Sequence, residues 1–225
     1  MPTAKAYRRL ASEDMLLPPD SAPARGSRGV MLTAALKLFA ERGYGGTSVR
    51  DIAAVSQVQP ATLYAHFPSK QHVLSELIAL GHEEHLRRMR AAMLECSSDP
   101  ADQMAALVRA HVGMHTAYPM LSVVANSELH SLSGEFAAPV HALRRQAEEM
   151  FVAVIRRGSE LGAFDVPHQW LTLAWIGGAG LRVANWYTEA FELPADEVAD
   201  HYVEYAWRVL GVKRKSAGRA KAKRT

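Results

Sequence analysis

The sequence has one cysteine in 225 residues, Cys96, so an intrachain disulfide and a cysteine-rich zinc site are both excluded. No segment approaches the roughly 18 uncharged apolar residues that span a bilayer, and the N-terminus lacks the apolar core of a secretory signal. A Gly-rich phosphate loop and a serine nucleophile elbow are also missing. We therefore expect a cytoplasmic, non-membrane protein that is not an enzyme and that needs no cofactor or metal.

Charge is distributed unevenly along the chain. Residues 213–225 hold seven basic side chains and no acidic one, and without them the formal net charge of +3 becomes −4. Residues 81–212 contain ten Arg and Lys but seventeen Asp and Glu, a balance of −7. The basic pI of about 9.1 therefore does not by itself indicate a nucleic-acid-binding protein.

The hydrophobic pattern predicts helices almost throughout and no strand with sustained alternation. Residues 1–27 lack a period and predict a flexible arm. Three short helices are expected within the next 45 or so residues, followed by a long helix from about Ser69 to Cys96. Further helices are predicted at 101–117, 119–131, 135–162, 167–190 and 195–211. The sequence thus predicts an all-α fold of about nine helices.

Local signals define the three short helices. Gly43 is typical of a helix C-cap, and Thr47 or Ser48 can cap the second helix, with Asp51 placed to complete a capping box after Ser48. Pro60 suits the first turn of the third helix, because its fixed φ and missing N–H are tolerated there. Leu63 and Phe67, four residues apart, are expected to face inward. This arrangement predicts a helix-turn-helix unit whose third helix can enter a DNA major groove.

The segment from about 28 to 75 resembles the N-terminal domain of the TetR family of bacterial transcriptional regulators. The matching positions are Ala35, Leu38-Phe39, Gly43-Tyr44, Thr47-Ser48-Val49-Arg50-Asp51-Ile52-Ala53, Val58, Thr62-Leu63-Tyr64, His66-Phe67 and Ser69-Lys70. The resemblance implies a DNA-binding domain at 28–75, a helical ligand-binding and dimerisation domain at 76–212, and operator DNA as partner. The remaining 213–225 would form a basic disordered tail.

The resemblance also implies which side chains meet DNA. Those expected to hold phosphates are Thr47, Ser48, Arg50, Thr62, Tyr64 and Lys70, and those expected nearest the bases are Gln59, Pro60, Ala61 and His66. The chain departs from the family at the turn before the third helix, where a glycine is usual and Ser56-Gln57-Val58-Gln59 stands here. Either Gln57 adopts a strained φ, or the turn differs slightly.

We expect a homodimer formed by the last two helices, whose small residues and tryptophans favour close approach and a large buried area. The interface residues predicted are Trp175, Gly178, Leu181, Tyr202 and Trp207. The alternative is that the tryptophans belong to the core of one chain.

The central helices combine apolar and polar side chains in a way that suits an apolar ligand with a polar end. The ligand-binding residues predicted are His111, His115, Tyr118, Met120, Asn126, His130, Arg144, Phe151 and Trp186. An ordinary core with surface histidines is the competing interpretation.

Four segments are similar to segments of TetR-type regulators that respond to fatty acyl-coenzyme A. They are Asn126-Ser127-Glu128-Leu129, the pairs Arg144-Arg145 and Arg156-Arg157, and Arg182-Val183-Ala184-Asn185-Trp186-Tyr187. That likeness implies arginines on the seventh helix that meet coenzyme phosphates.

The function expected is a ligand-responsive repressor that binds a palindromic operator as a dimer and is released when a small molecule tilts the fourth helix. The ligand is a small apolar or acyl-CoA-type compound, or else a drug or aromatic compound whose efflux or catabolic operon the protein controls. Two further alternatives are an enzyme that uses the histidine pairs His82/His85 and His111/His115, and a helical adaptor without affinity for DNA.

Overall fold

In a computed structural model, the structure describes residues 16–19 and 26–212. This part of the chain contains nine α-helices, one 3₁₀ turn and no strand. The helices are α1 (Gly26–Arg42), α2 (Val49–Val55), α3 (Pro60–His66), α4 (Lys70–Glu95), α5 (Pro100–Ala117), α6 (Pro119–Ser127), α7 (Gly134–Glu160), α8 (Gln169–Val183) and α9 (Ala195–Val209), with the 3₁₀ turn at Leu129–Ser131. The all-α prediction is confirmed.

Helix starts follow the local signals in the sequence. The Ser48 hydroxyl accepts from the Asp51 N–H, and the Asp51 carboxylate accepts from the Ser48 N–H, so α2 begins with the capping box that its spacing predicts. Asp99 caps α5 in a similar way by accepting from the N–H of Ala101. Pro60 stands in the first turn of α3. These bonds satisfy backbone donors that helix formation leaves free.

Two apolar clusters hold the helices together. The first joins α1, α2 and α3 to the first half of α4 and to α6, and it includes Met31, Ile52, Leu63 and Phe67. The second lies among the second half of α4, α5, α7, α8 and α9. Helix α4 contributes to both clusters, and it packs against α5, α6 and α7. Any movement of α4 therefore affects both halves of the molecule.

The predicted boundaries differ from the structure in several places. The helix expected at 119–131 ends at Ser127 and is followed by the 3₁₀ turn. The helix expected at 167–190 ends at Val183, because a tight turn follows that brings Trp186, Tyr187 and Phe191 into mutual ring contact. Helix α1 begins inside the predicted arm.

Part of the arm predicted to be flexible belongs to the core. Leu16 and Leu17 are buried in the first apolar cluster, so those positions are held by packing. Residues 1–15 and 20–25 of the arm and the basic tail at 213–225 lie outside the described residues. Within the described residues, no helix is long and apolar enough to cross a membrane.

Candidate DNA-binding surface and ligand cavity

The turn between α2 and α3 resolves the alternative left open at Gln57. This residue has φ +57°, a left-handed conformation that non-glycine residues rarely adopt. The Val58 N–H donates to the Ala53 carbonyl and closes the turn. Leu63 and Phe67 are fully buried, as predicted, and fix α3 against α1 and α2.

The outward side of α2 and α3 forms a continuous candidate DNA-binding surface. Its exposed members among the predicted residues are Ser48, Arg50, Gln59, Ala61, Thr62 and Tyr64, while Pro60 and His66 are half-buried. The Tyr64 side chain is 52% exposed although its ring is apolar, so its hydroxyl is free to meet a partner. The Ser48 hydroxyl already bonds to Asp51, so in this structure it acts as a helix cap.

Two predicted phosphate ligands have other partners. The Thr47 side chain is buried, and its hydroxyl donates to the carbonyls of Leu38 and Gly43. The Lys70 ammonium donates to the carbonyls of Tyr44 and Thr47 at 2.8 and 2.7 Å and lies 4.0 Å from the centre of the Tyr44 ring. The structure therefore does not place these two groups on the exposed surface, since each satisfies backbone carbonyls of the α1–α2 turn.

Arg28 connects α1, α3 and α4, a role that no pattern in the sequence predicts. Its guanidinium donates to both carboxylate oxygens of Glu76 on α4 and to the His66 carbonyl at the end of α3. It also lies over the Phe67 ring, 4.2 Å from the ring centre. A planar fork with several donors is the group that can hold three elements at once. The recognition helix is thus attached to α4 as well as to α1.

A cavity of about 290 Å³ lies among α4, α5, α6, α7 and α8. Its volume is close to the lower end of the range for small-molecule sites in proteins. The lining residues are Gly81, His82, His85, His111, Met114, His115, Ser122, Ala125, Asn126, Arg144, Ala147, Glu148, Phe151, Trp170, Leu173, Ala174, Gly177, Gly178 and Leu181. One end is buried among α4, α5 and α6, whereas Glu148, Trp170 and Ala174 at the other end are exposed.

Four histidines line the buried end and three of them are connected by hydrogen bonds. Nε2 of His111 lies 3.0 Å from the Gly177 carbonyl oxygen, and Nδ1 of His111 lies 2.9 Å from Nε2 of His85. Nδ1 of His115 donates to the His111 carbonyl at 2.6 Å. Gly180 allows this arrangement, because a Cβ there would lie 2.2 Å from Cδ2 of His111.

Burial keeps these rings uncharged. It lowers the pKa of His82 to about 4, with the positive charge of Arg144 acting in the same direction, and it lowers the pKa of His115 to about 3. The pKa values of His85 and His111 are also below the ordinary value because of burial. Near neutral pH the buried end is therefore lined by neutral imidazoles.

Two buried polar atoms at this end have no hydrogen-bond partner in the described part of the chain. They are Nε2 of His82 and the Ser122 hydroxyl oxygen, and both residues line the cavity. Buried polar groups are nearly always paired, because an unpaired one costs about 1–3 kcal/mol. These two atoms are therefore available to form hydrogen bonds with a molecule that enters the cavity.

The structure brings together only some of the predicted ligand residues. His111, His115, Asn126, Arg144 and Phe151 line the cavity. The others lie elsewhere: Tyr118 is buried under the Arg88 guanidinium, Met120 packs on the first apolar cluster, His130 is exposed in the 3₁₀ turn, and Trp186 packs on Tyr187 and Phe191.

His82, His85 and Ser122 were missing from the predicted ligand set. A signal for two of them was present, because His82 and His85 continue the helix face on which Ile78 and Met89 are buried. Helices α4 and α6, which contain these residues, contact α5 only in the folded protein, so the sequence alone did not bring them together.

The predicted dimer residues have three different surroundings. Trp175 is 49% exposed and lies on the same exposed side of α8 as Leu171, which is 57% exposed. Gly178 and Leu181 instead line the cavity. Trp207 donates to the Ala101 carbonyl of its own chain, and Tyr202 packs against the second apolar cluster. These last two contacts correspond to the alternative of an intrachain core.

The arginine pairs on α7 also have different surroundings. Arg144 lines the cavity, whereas Arg157, about 20 Å further along the helix at 1.5 Å per residue, donates to Gln103 and to the Ser98 carbonyl. Arg156 lies near Glu160 on the surface. Of these four arginines, only Arg144 lines the cavity.

Comparison with known proteins agrees with this architecture. The family described as "Bacterial regulatory proteins, tetR family" matches residues 31–77, and "Tetracyclin repressor-like, C-terminal domain" matches residues 97–210. The transcriptional repressor KstR2 of Rhodococcus jostii is 24% identical over 186 residues, which are 82% of this chain and 91% of that protein.

Two solved structures extend the comparison. The TetR-family regulator PfmR of Thermus thermophilus is 31% identical, with a TM-score of 0.72 over 80% of this chain and 98% of that one. AibR, solved with isovaleryl coenzyme A and operator DNA, has a TM-score of 0.72 and 21% identity over 83% of this chain and 99% of that one, a likeness of fold alone. The helix-turn-helix, the cavity-bearing C-terminal helices and both family matches lead to one conclusion: this chain belongs to the TetR family of bacterial transcriptional regulators.

Proposed function

We propose that the protein is a repressor that binds a palindromic operator as a homodimer in the cytoplasm and leaves it when a small molecule occupies the cavity. The observation that carries this proposal is the course of α4. At its start, Lys70 is bonded to the α1–α2 turn, and about three to four turns further on, Gly81, His82 and His85 line the cavity. A ligand that contacts α4 in one orientation better than in another shifts the position of the helix-turn-helix.

The exposed surface of α2 and α3 supplies the DNA contacts in this proposal. Arg50, Thr62 and Tyr64 meet phosphates, and Gln59 and Ala61 lie nearest the bases at the start of α3.

Because Tyr64 is exposed and outside the core, Tyr64→Ala is expected to weaken DNA binding about tenfold or more with little change in melting temperature. Circular dichroism and DNA titration of the same sample separate these two effects.

The exposed apolar side of α8, with Leu171 and Trp175, supports homodimerisation. A two-fold axis beside this helix would set two recognition helices about 34 Å apart, one turn of DNA.

Trp175→Glu places a charge on the exposed apolar side of α8 and is expected to give a monomer in light scattering at micromolar concentration. The Tyr64→Ala variant serves as the control and is expected to stay dimeric.

For the ligand, we propose an apolar compound, with a fatty acyl-coenzyme A as the first candidate class. Met114, Phe151 and Leu173 offer an apolar lining, and Arg144 offers a cation for a phosphate. The isovaleryl coenzyme A bound by AibR supports this class. A drug or aromatic compound without coenzyme A is the second candidate, favoured by the small volume of the cavity and by the distance of Arg157 from it.

Catalysis by the histidines has less support. The relatives are transcriptional regulators, and within the described residues no three His, Cys, Asp or Glu side chains are grouped to hold a metal ion.

The test is fluorescence anisotropy of full-length protein on duplex DNA from its own upstream region, with and without a long-chain acyl-coenzyme A. Binding that the ligand releases supports both parts of the proposal. Binding without release retains the repressor and rejects this ligand class. Absence of binding to any such duplex, with a folded dimeric protein, contradicts the repressor and favours the adaptor.

A further inference from the structure

The hydrogen bonds at the buried end of the cavity fix where the imidazole protons lie. A carbonyl oxygen only accepts, so Nε2 of His111 must carry the proton it shares with Gly177. In the neutral ring Nδ1 of His111 is then an acceptor, and the proton between the two rings belongs to Nε2 of His85. By the same reasoning, Nδ1 of His115 carries the proton directed at the His111 carbonyl.

This assignment leaves lone pairs on the remaining ring nitrogens. Nδ1 of His85 and Nε2 of His115 become acceptors, and the structure gives neither atom a hydrogen-bond partner in the described part of the chain. The unpaired Ser122 hydroxyl and Nε2 of His82 lie in the same lining. The ring N–H groups assigned above therefore donate to other protein atoms. The ring nitrogens that remain for a molecule in the cavity are mainly hydrogen-bond acceptors.

From this arrangement we infer that the buried end of the cavity binds a neutral hydroxyl group, alcohol or phenol, at the inner end of an otherwise apolar effector. The inference rests on the proposed function of the same cavity and specifies the chemistry of its ligand. A hydroxyl donates to a lone pair and accepts from Ser122, so it satisfies groups that otherwise stay unpaired.

Charged inner ends fit this lining poorly. A carboxylate has no proton to donate to the ring nitrogens, and the Ser122 hydroxyl alone would not replace the hydration that it loses on entering the buried end. An ammonium would lie in the field of Arg144, a charge close enough to act on His82. The exposed Glu148 belongs to the other end, where a polar extension of the ligand would lie.

The probes are three compounds with one ring system: 2-naphthol, 2-methoxynaphthalene and 2-naphthoate. They differ in whether the polar substituent donates, only accepts, or is anionic. Isothermal titration calorimetry of the full-length protein without DNA at pH 7.5 measures their binding directly. We expect 2-naphthol to bind at least about tenfold more tightly than either of the other two, because only it donates a hydrogen bond.

Variants connect this preference to the named atoms. Ser122→Ala and His82→Phe are expected to reduce the preference for 2-naphthol over its methyl ether to about threefold or less. Met114→Leu is the matched control: it alters the same lining without changing a polar atom, so it shifts both affinities and keeps their ratio. If His82→Phe fails to fold, Ser122→Ala, which removes one buried atom, still decides the result.

Several results would overturn the inference. They are equal affinities for the naphthol and its ether, tighter binding of the naphthoate, no binding of 2-naphthol, or a preference that survives both substitutions. None of them touches the repressor function, which anisotropy on DNA tests separately. Conversely, a protein that shows the hydroxyl preference but binds no operator would retain the ligand site and contradict the repressor.

Discussion

The interiors at the two ends of α4 are built differently. Around the helix-turn-helix, Met31, Ile52, Leu63 and Phe67 are essentially inaccessible and form a closed apolar core. Around the second half of α4, neutral imidazoles surround a cavity with unpaired polar atoms. The first interior is suited to holding the helix-turn-helix in one shape. The second gives up packing and hydrogen bonds that a ligand can restore.

Acidification should produce the largest effect, and it should act on the cavity side. Below the ordinary histidine pKa of 6.5 the unfolded chain binds protons that the four buried rings, whose pKa values are lowered, do not bind. Above pH 6.5 these four rings therefore do not reduce the free energy of unfolding. It falls as the pH drops toward 4, by up to about 1.4 kcal/mol per pH unit for each ring.

Tryptophan fluorescence in urea titrations at several pH values reports this loss, because all four tryptophans lie beyond residue 169. His115→Phe is expected to flatten the pH dependence. A slope unaltered by that substitution would show that other groups cause it.

Truncation of one phenylalanine in each interior compares their packing directly. Phe67→Ala is expected to cost about 3–5 kcal/mol, because it opens a hole in a closed core. Phe151→Ala enlarges an existing cavity, which this ring already borders on one side, so we expect roughly half of that cost. Urea titration gives both values. Equal costs would mean that the cavity wall is as tightly packed as the core.

Gly180→Ala tests the contact that holds the histidine chain. The new Cβ would overlap the His111 ring and force it away from Gly177. We expect a loss of about 1–3 kcal/mol, typical of overpacking. Gly177→Ala, on the same helix with open space around the position, is the control and should cost less. Thermal unfolding measures both.

Gln57→Gly should have the smallest effect and the opposite sign. Glycine adopts φ +57° without the steric strain that glutamine experiences, so stability should rise by roughly 0.5–1 kcal/mol. Gln59, at φ −72°, provides the control, since glycine there should only add flexibility to the unfolded chain. A decrease in melting temperature for Gln57→Gly would show that its side chain makes a stabilising contact.

The sequence predicted the helix-turn-helix in detail because short-range patterns determine it. The Ser48/Asp51 box, Pro60 at the start of α3, and the burial of Leu63 and Phe67 all follow from spacings of three or four residues. The same local patterns predicted a helical remainder. The bonding of Thr47 and Lys70 to carbonyls within the protein was not predictable in this way, since these carbonyls belong to backbone turns formed by folding.

The cavity was harder to predict because its parts are far apart in sequence. His111 meets His85 and Gly177 across 26 and 66 residues, and nothing local to any one of them signals the others. Tyr118 and Trp186 are aromatic, like some of the residues that line the cavity, yet their positions in the fold direct them toward other neighbours. Composition indicated a pocket, whereas helix packing decided which side chains line it.

The contacts of Arg28 have a consequence for how ligand and DNA communicate. Because one guanidinium holds the end of α3, the Phe67 ring and Glu76 of α4 together, displacement of α4 carries the recognition helix along without reshaping it. An effector would then change the spacing of the two α3 helices in a dimer and leave the structure of each helix-turn-helix intact. It should lower affinity for strong and weak operator sequences by the same factor, leaving the order of base preferences at each half-site unchanged.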